Sequence, residues 1–168
     1  MIPATVKLAV DLTDAGIKWP NDILVNGRKL VGILTEMSGS MEEISHIVMG
    51  IGVNVKTKQE ELPEELKLIA TSLAMEDIDI ERTEAFRLIL EELEHQYYEV
   101  LDSGFDETLN EWRQLSVTLG EEIEVRAPGN TYEGVATDSD EDGNLLVRIS
   151  DGTIKRIVAG DVSIRPRK

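Results

Sequence analysis

A chain of 168 residues, 41% hydrophobic and 30% charged, has the composition of a folded globular protein and the length of one ordinary domain or one domain with a small appendage. Its net charge of −16 argues against DNA as a partner, because a duplex-binding face must be basic enough to displace counterions from phosphates. With no cysteine, and with two histidines, His46 and His95, far apart in sequence, disulfides, thiolate sites and a cysteine nucleophile drop out and no bound metal is expected.

Nor does any apolar run reach the roughly 20 residues of a membrane span, and no basic-then-apolar leader opens the chain, so a cytoplasmic location without membrane contact is expected. Residues 3–15 read as a helix: Pro3 suits its first turn, Val6, Ala9, Val10 and Thr13 recur at helical spacing, and Gly16 follows as a C-cap. A strand over residues 17–19 is broken by Pro20. Ile23-Leu24-Val25, Asn26-Gly27 and then residues 30–36 make a hairpin pattern, because Asn-Gly supplies the positive φ angles of a type I′ turn. Residues 44–55 read as a further strand, and residues 66–74 and 83–101 as helices. On the longer helix Phe86, Ile89, Leu90, Leu93, Tyr97, Val100 and Leu101 form one apolar stripe. Its polar side carries Glu84, Arg87, Glu91, Glu94 and Glu99, so the acidic excess reads as solvated helix faces. After Trp112 come five short β-rich segments, 122–127, 132–137, 145–150, 153–158 and 161–165, punctuated by Gly, Asn, Asp and Pro. Such spacing predicts a small SH3-like barrel. The fold class is α+β, with a partial β-sheet and flanking helices over residues 1–115 and the all-β barrel over residues 116–168.

Two motifs mislead. Residues 138–143, DSDEDG, imitate the start of a calcium loop, but the twelfth position, which needs a bidentate Glu, is Ile149 and strands flank it on both sides; an acidic hairpin turn is the better reading. Gly50-Ile51-Gly52 suggests a dinucleotide loop, yet the third glycine of that pattern falls on Val55 and no helix opens there. His46 and His95 have no partners at ligand spacing and read as structural or exposed.

Strand alternation over residues 44–55 puts Ser45, Ile47, Met49, Ile51, Val53 and Val55 on one face, to pack beneath helices, and Ile44, His46, Val48, Gly50, Gly52 and Asn54 on the other. Two glycines on one face fit either a bulge or closely packed helix, or a flat ligand with Asn54 at its edge. Lys18-Trp19-Pro20-Asn21-Asp22 is the second constellation. Lys18 is either a solvated strand-end lysine or a compact cation placed to follow charge developing on a phosphoryl group.

KWPND, the hairpin NGRKLVGILTE, GIGVNV, ATSL at residues 70–73 and the ending GDVSIRP occur in an order and spacing that resemble the core of biotin protein ligases. The resemblance implies a mixed sheet of the class II aminoacyl-tRNA synthetase and biotin ligase type, followed by the family's C-terminal barrel. It implies that biotin and Mg-ATP (hence Mg2+) are used to make biotinyl-5′-AMP, from which biotin passes to a lysine of a biotin carboxyl carrier protein domain. It further implies that Lys18 contacts biotin and the reacting phosphate, and that Ile23, Gly50 and Gly52 pack against biotin. Asn21 and Asn54 are implied near the nucleotide, Asn21 and Asp22 also ordering the lysine strand. Arg165, with Asp161, is implied to approach the site from the C-terminal domain. Lipoate–protein ligases carry a looser form of the lysine motif and are the related alternative; a non-enzymatic docking role is another.

The family's glycine- and arginine-rich adenylate loop has no counterpart before Lys18, so the chain is expected to be part of a larger catalytic unit that an N-terminal half completes. A sheet lacking those strands leaves an edge unpaired and leaves Leu30, Leu34 and the glycine face uncovered, which predicts a homodimer.

Overall fold

The computed structural model describes residues 15–39, 44–127 and 129–165. The helix expected over residues 3–15 lies outside them except for Ala15, which opens a strand. Strands β1 (Ala15–Lys18), β2 (Asp22–Val25), β3 (Arg28–Gly39) and β4 (Ile44–Val53) form an antiparallel sheet in sequence order. Asn26 and Gly27 join β2 to β3 with φ of 51° and 73°, the two positive angles of a type I′ turn. Pairing leaves the turn as Val25↔Arg28 and Leu24↔Lys29, then shifts at a bulge so that Ile23 faces Val31 and Asp22 faces Gly32. One extra residue on a strand exchanges the faces of everything beyond it.

On one side of the sheet Ile17, Ile23, Val31 and Val53 are cross-strand neighbours, the first three almost wholly buried. Burial of each such side chain contributes about 1.5–3 kcal/mol. Helix α1 (Arg82–Ser103) lies over the same side, with Ala85 and Ile89 buried and Met49, Ile51 and Val53 facing them across a gap of about 350 Å³. The apolar stripe of α1 is only partly used. Phe86, Leu90, Tyr97 and Leu101 stay exposed, as do Leu34, Met37, Ile47 and Val48 on the sheet. Leu30, expected beside Leu34 on the surface, is instead buried, because it sits at the bulge.

No α-helix forms over residues 66–74. Single 3₁₀ turns, Glu64–Leu66 and Ala74–Glu76, bracket a further turn over residues 67–69 and a short bridging segment over residues 70–72. There Lys29 N–H donates to the Ile69 carbonyl at 2.8 Å and Thr71 N–H to the Lys29 carbonyl at 2.9 Å, and this pairing with the hairpin overrides local helix propensity. The Glu76 carboxylate then ties the stretch to the hairpin turn by accepting from Arg28, Asn26 and Thr71.

Helix α2 (Asp106–Leu115) has no counterpart among the expected elements. Asp106 and Glu107 complement its positive N-terminal end, Trp112 is buried, and Arg113 donates to the Asp138 carboxylate and the Ser139 carbonyl. Beyond it β5 (Glu122–Ala127), β6 (Asn130–Ser139), β7 (Leu145–Ile149), β8 (Ile154–Ile157) and β9 (Asp161–Ile164) form a second antiparallel sheet in the order β8-β7-β6-β5-β9. All five expected segments are present, each within two residues of its predicted bounds. Ile123, Val125, Ala136, Leu145, Val147, Ile157 and Val162 are its buried apolar side chains. The architecture is α+β, as the sequence predicts.

Candidate functional site

Residues paired across strands share a face. The register Lys18↔Asp22, Asp22↔Gly32 and Gly32↔Gly52 therefore draws one row across all four strands, and Leu34↔Gly50 stands next to it. This face is the one turned away from α1. Gly50 and Gly52 are exposed, and Leu34 is 62% exposed.

The three glycines of this face differ in what requires them. A Cβ on Gly32 would fall 2.9 Å from Lys29 Cε and 3.0 Å from its Nζ, so the flexible end of the lysine lies directly over this glycine and would have to shift for any other residue. A Cβ on Gly50 or Gly52 would meet nothing closer than the Leu34 or Gly32 carbonyl, at 3.8 and 3.7 Å, and neither residue has a left-handed backbone. Among the described residues, neither of the reasons offered above for these glycines, a bulge or a closely packed helix, is found at them. What they leave is an open, flat floor.

Lys18 stands at the end of the row, half-buried. Among the described residues no hydrogen-bond acceptor or carboxylate holds its ammonium. Its cross-strand neighbour Asp22 is paired instead with Lys29, Nζ to Oδ1 at 2.5 Å. Asn21 follows the cis Trp19–Pro20 bond. Its amide donates to the Ile33 carbonyl at 2.6 Å and its own carbonyl accepts the Ile33 N–H at 2.9 Å, so it fastens the lysine turn to β3. Asn54 continues β4 past Gly52. Its amide donates to the Thr71 carbonyl at 3.0 Å, and its carbonyl accepts the Leu73 N–H, which brings the ATSL stretch to the rim of the glycine floor.

Two expected site residues lie elsewhere. Ile23, with 0% exposure, is in the buried row on the opposite face. Arg165 is fixed on the second sheet, its guanidinium 2.5 Å from Glu133 Oε1 and 3.5 Å from Glu124 Oε2. The bonds to Glu133 and then Glu124 raise its pKa above the usual arginine value. Asp161 pairs in register with Arg126. The structure thus brings together Lys18, Gly50 and Gly52, with Asn21 behind and Asn54 at the rim, and adds Gly32 and Lys29, which sequence reasoning missed. The acidic stretch of residues 138–143 forms the turn between β6 and β7, with Asp140 and Asp142 paired to Arg156. His95 is exposed and sits 3.2 Å from Glu99 one turn on.

Residues 10–54 match the Biotin/lipoate A/B protein ligase family, and residues 118–165 match the Biotin protein ligase C terminal domain. The chain is 37% identical over 149 residues to the bifunctional ligase/repressor BirA of Bacillus subtilis, an alignment covering 88% of this chain and 46% of the relative. It is 33% identical over 159 residues to the biotin--[acetyl-CoA-carboxylase] ligase of Mycobacterium tuberculosis, covering 92% and 55%. The apo biotin protein ligase of Aquifex aeolicus superposes with a TM-score of 0.81 at 26% identity, over 98% of this chain and 71% of that one. The same enzyme in complex with biotin and ATP gives a TM-score of 0.78 over 99% and 68%. The chain therefore spans about half the length of the curated relatives it matches. Two family matches in order along one sequence, relatives above 30% identity across about nine-tenths of it, and a superposition that takes in nearly all of it have one consistent meaning: the chain belongs to the biotin protein ligase family.

Proposed function

We propose that this chain is the lysine- and glycine-bearing part of a biotin protein ligase, which adenylates biotin and passes it to a lysine of a biotin carboxyl carrier protein domain. The observation that carries the reading is the pair Gly50 and Gly52: two exposed strand glycines that neither their conformation nor packing by the described residues requires, in one patch with a lysine whose ammonium no described residue holds. A flat bicyclic ring fits such a floor, and its carboxylate side chain would run toward Lys18.

In the first step a biotin carboxylate oxygen attacks the α-phosphorus of Mg-ATP and pyrophosphate leaves. Two anions meet, so a fixed cation lowers the barrier most where charge develops on the phosphoryl oxygens. Lys18 supplies that point charge. In the second step the neutral amine of the carrier lysine attacks the acyl carbon of the mixed anhydride, AMP leaves, and an amide forms with loss of the amine proton. Asn54 at the rim contacts the nucleotide, Asn21 orders the lysine turn beside it, and Arg165 joins once it gives up Glu133. Ile23 supports the floor from beneath.

The exposed side chains of α1 and the sheet support a further polypeptide segment, the family's arginine-rich half, packed over them. Residues 1–115 belong to the catalytic unit and residues 116–168 to the C-terminal domain. No described helix is long and apolar enough to cross a membrane, and use of ATP and a carrier protein fits a cytoplasmic enzyme. Lipoate transfer is the second reading, which the shared biotin/lipoate family match keeps open and the relatives' names disfavour.

Calorimetry with biotinyl-5′-AMP and lipoyl-5′-AMP tests both. The chain is expected to bind the first in preference, and Gly52→Val is expected to abolish binding while the circular dichroism spectrum is unchanged. Equal binding by Gly52→Val, or preference for the lipoyl compound, would sink the biotin assignment.

A further inference from the structure

Lys18 lies on the outer strand of its sheet, and residues following α2 close that edge. Val117 N–H donates to the Ile17 carbonyl at 2.9 Å, and the buried Thr118 hydroxyl accepts the Trp19 N–H at 3.0 Å. Both neighbours of Lys18 are thus fixed to one short segment. Ser116 Oγ sets that segment by accepting the N–H groups of Thr118 and Leu119 at 3.2 and 3.3 Å. Gly16 permits the approach, since a Cβ there would fall 2.2 Å from Val117 Cγ1 and 3.1 Å from the Leu115 carbonyl.

A second hold comes from further along the chain. The indole of Trp19 donates to the Gly143 carbonyl at 3.2 Å. Gly143 lies in the acidic turn between β6 and β7, which is built on Asp140. That carboxylate accepts the Asn144 N–H at 2.9 Å, the Asn144 amide at 3.0 Å and the Asp142 N–H at 3.0 Å, and it also pairs with Arg156. The stretch that imitates a calcium loop therefore engages its Asp140 carboxylate in its own turn and its Asp138 and Asp142 carboxylates with Arg113 and Arg156, and presents a backbone carbonyl to the tryptophan of the KWPND motif.

We propose that Thr118 and the Asp140–Gly143 turn are positioning residues for Lys18, bracing its strand so that the ammonium stays in register with the glycine floor. The inference rests on the reading of Lys18 as the adenylation lysine. Loss of the Thr118 hydroxyl leaves a buried N–H without an acceptor, a cost the strand can relieve only by opening. A shift of about 1 Å in a catalytic charge costs up to about 100-fold in rate, so even a partial opening is visible in turnover.

The test has two arms. In the chain itself, amide hydrogen exchange at Lys18 and Trp19 is expected to quicken about tenfold or more in Thr118→Val, to return to wild type in Thr118→Ser, and to leave β6 and β7 unaffected. Trp19→Phe, which removes only the indole donor and the outer ring, is expected to quicken Lys18 by a smaller factor. In a ligase completed with the family's remaining segment, Thr118→Val and Trp19→Phe are expected to lower kcat for adenylate formation about tenfold, with the biotin KM within about twofold. Unchanged exchange at Trp19 in Thr118→Val overturns the brace, and altered exchange with unchanged kcat overturns its positioning role. If Thr118→Val unfolds, lost protection in β6 and β7 will report it, and Trp19→Phe decides by the same criteria. A wild-type assembly that makes no biotinyl-adenylate counts against the ligase reading, and the exchange arm then judges the brace alone.

Discussion

Lys29 and Asp22 meet over Gly32, Nζ to Oδ1 at 2.5 Å, and so the carboxylate standing across the strand pair from Lys18 is already neutralised. Lys29 is exposed and Asp22 partly covered, and a pair with one solvated partner adds little stability, about 0–1 kcal/mol, so its weight falls on the site. Lys29→Met is expected to release Asp22 toward Lys18 and to lower adenylation in an assembled ligase about tenfold, with little change in Tm. Adding Asp22→Asn is expected to recover most of the loss. Turnover and melting curves on the three variants check this, and full activity in Lys29→Met would refute it.

Lys18→Ala is expected to abolish adenylation in any assembly that contains this chain, and Lys18→Arg to fail substantially, because a planar guanidinium cannot replace a compact charge at a fixed distance. The fold should tolerate both, since the Lys18 ammonium has no partner among the described residues. Steady-state pyrophosphate release is the measurement. Wild-type turnover in Lys18→Ala would remove Lys18 from its role.

The chain alone is expected not to form biotinyl-adenylate at a useful rate. Among the described residues Lys18 is the one cation of the glycine row without a carboxylate partner, since Lys29 is paired with Asp22, and loss of one preorganised element of a charge clamp costs about 100-fold or more. Robust pyrophosphate release from ATP and biotin by the purified 168-residue chain would contradict this.

Asn-Gly at positions 26 and 27 made the hairpin legible, and alternation along β4 made its two faces legible, so Gly50 and Gly52 could be found without a structure. The bulge between Ile23 and Leu24 could not. Counted straight back from the turn, Asp22 would face Val31, and Gly32 would fall outside the row; one inserted residue places Gly32 beside Lys29 and turns Leu30 inward. Residues 66–74 were misread for a related reason. Their apolar spacing suits a helix, but Lys29 offers them backbone partners in β geometry, and that offer comes from residues about 40 positions away. Helix α2 escaped notice because its ten residues bury little besides Trp112. The Thr118 brace rests on a contact between residues 99 apart, which no local pattern encodes.

Asp140 gives the acidic turn a defined acid limit. Burial alone would raise its carboxyl, but bonds from Asn144 and Arg156 outweigh that and hold it down to about 2. A carboxyl with a lowered folded-state pKa stabilises the fold above its ordinary value of about 3.9, and that contribution is lost as the pH falls toward 2. The Trp19 indole N–H resonance is therefore expected to hold its position from neutral pH down to about 3 and to shift as the pH approaches 2. In Asp140→Asn this transition should be missing. Loss of the indole bond near pH 6 would show that the turn does not depend on Asp140.

Self-association should follow from β4, the outer strand of the first sheet. Among the described strands only β3 pairs with it, so its other edge presents backbone donors and acceptors of the kind that recruit another strand. Val48 and Leu34 are exposed on the glycine face of that edge, and Ile47 and Met37 on the opposite face, and exposed apolar side chains at an open edge favour burial against a partner. The net charge of −16 repels further copies and sets a limit on growth. The expected product is a homodimer joined through β4 or by strand exchange, and tighter in high salt, where the repulsion is screened. Light scattering at low and high salt measures it. A stable monomer at high protein concentration with screening salt present would defeat the edge-pairing argument, whereas a dimer lost on substituting Ile47 and Val48 by lysine would locate the interface on β4.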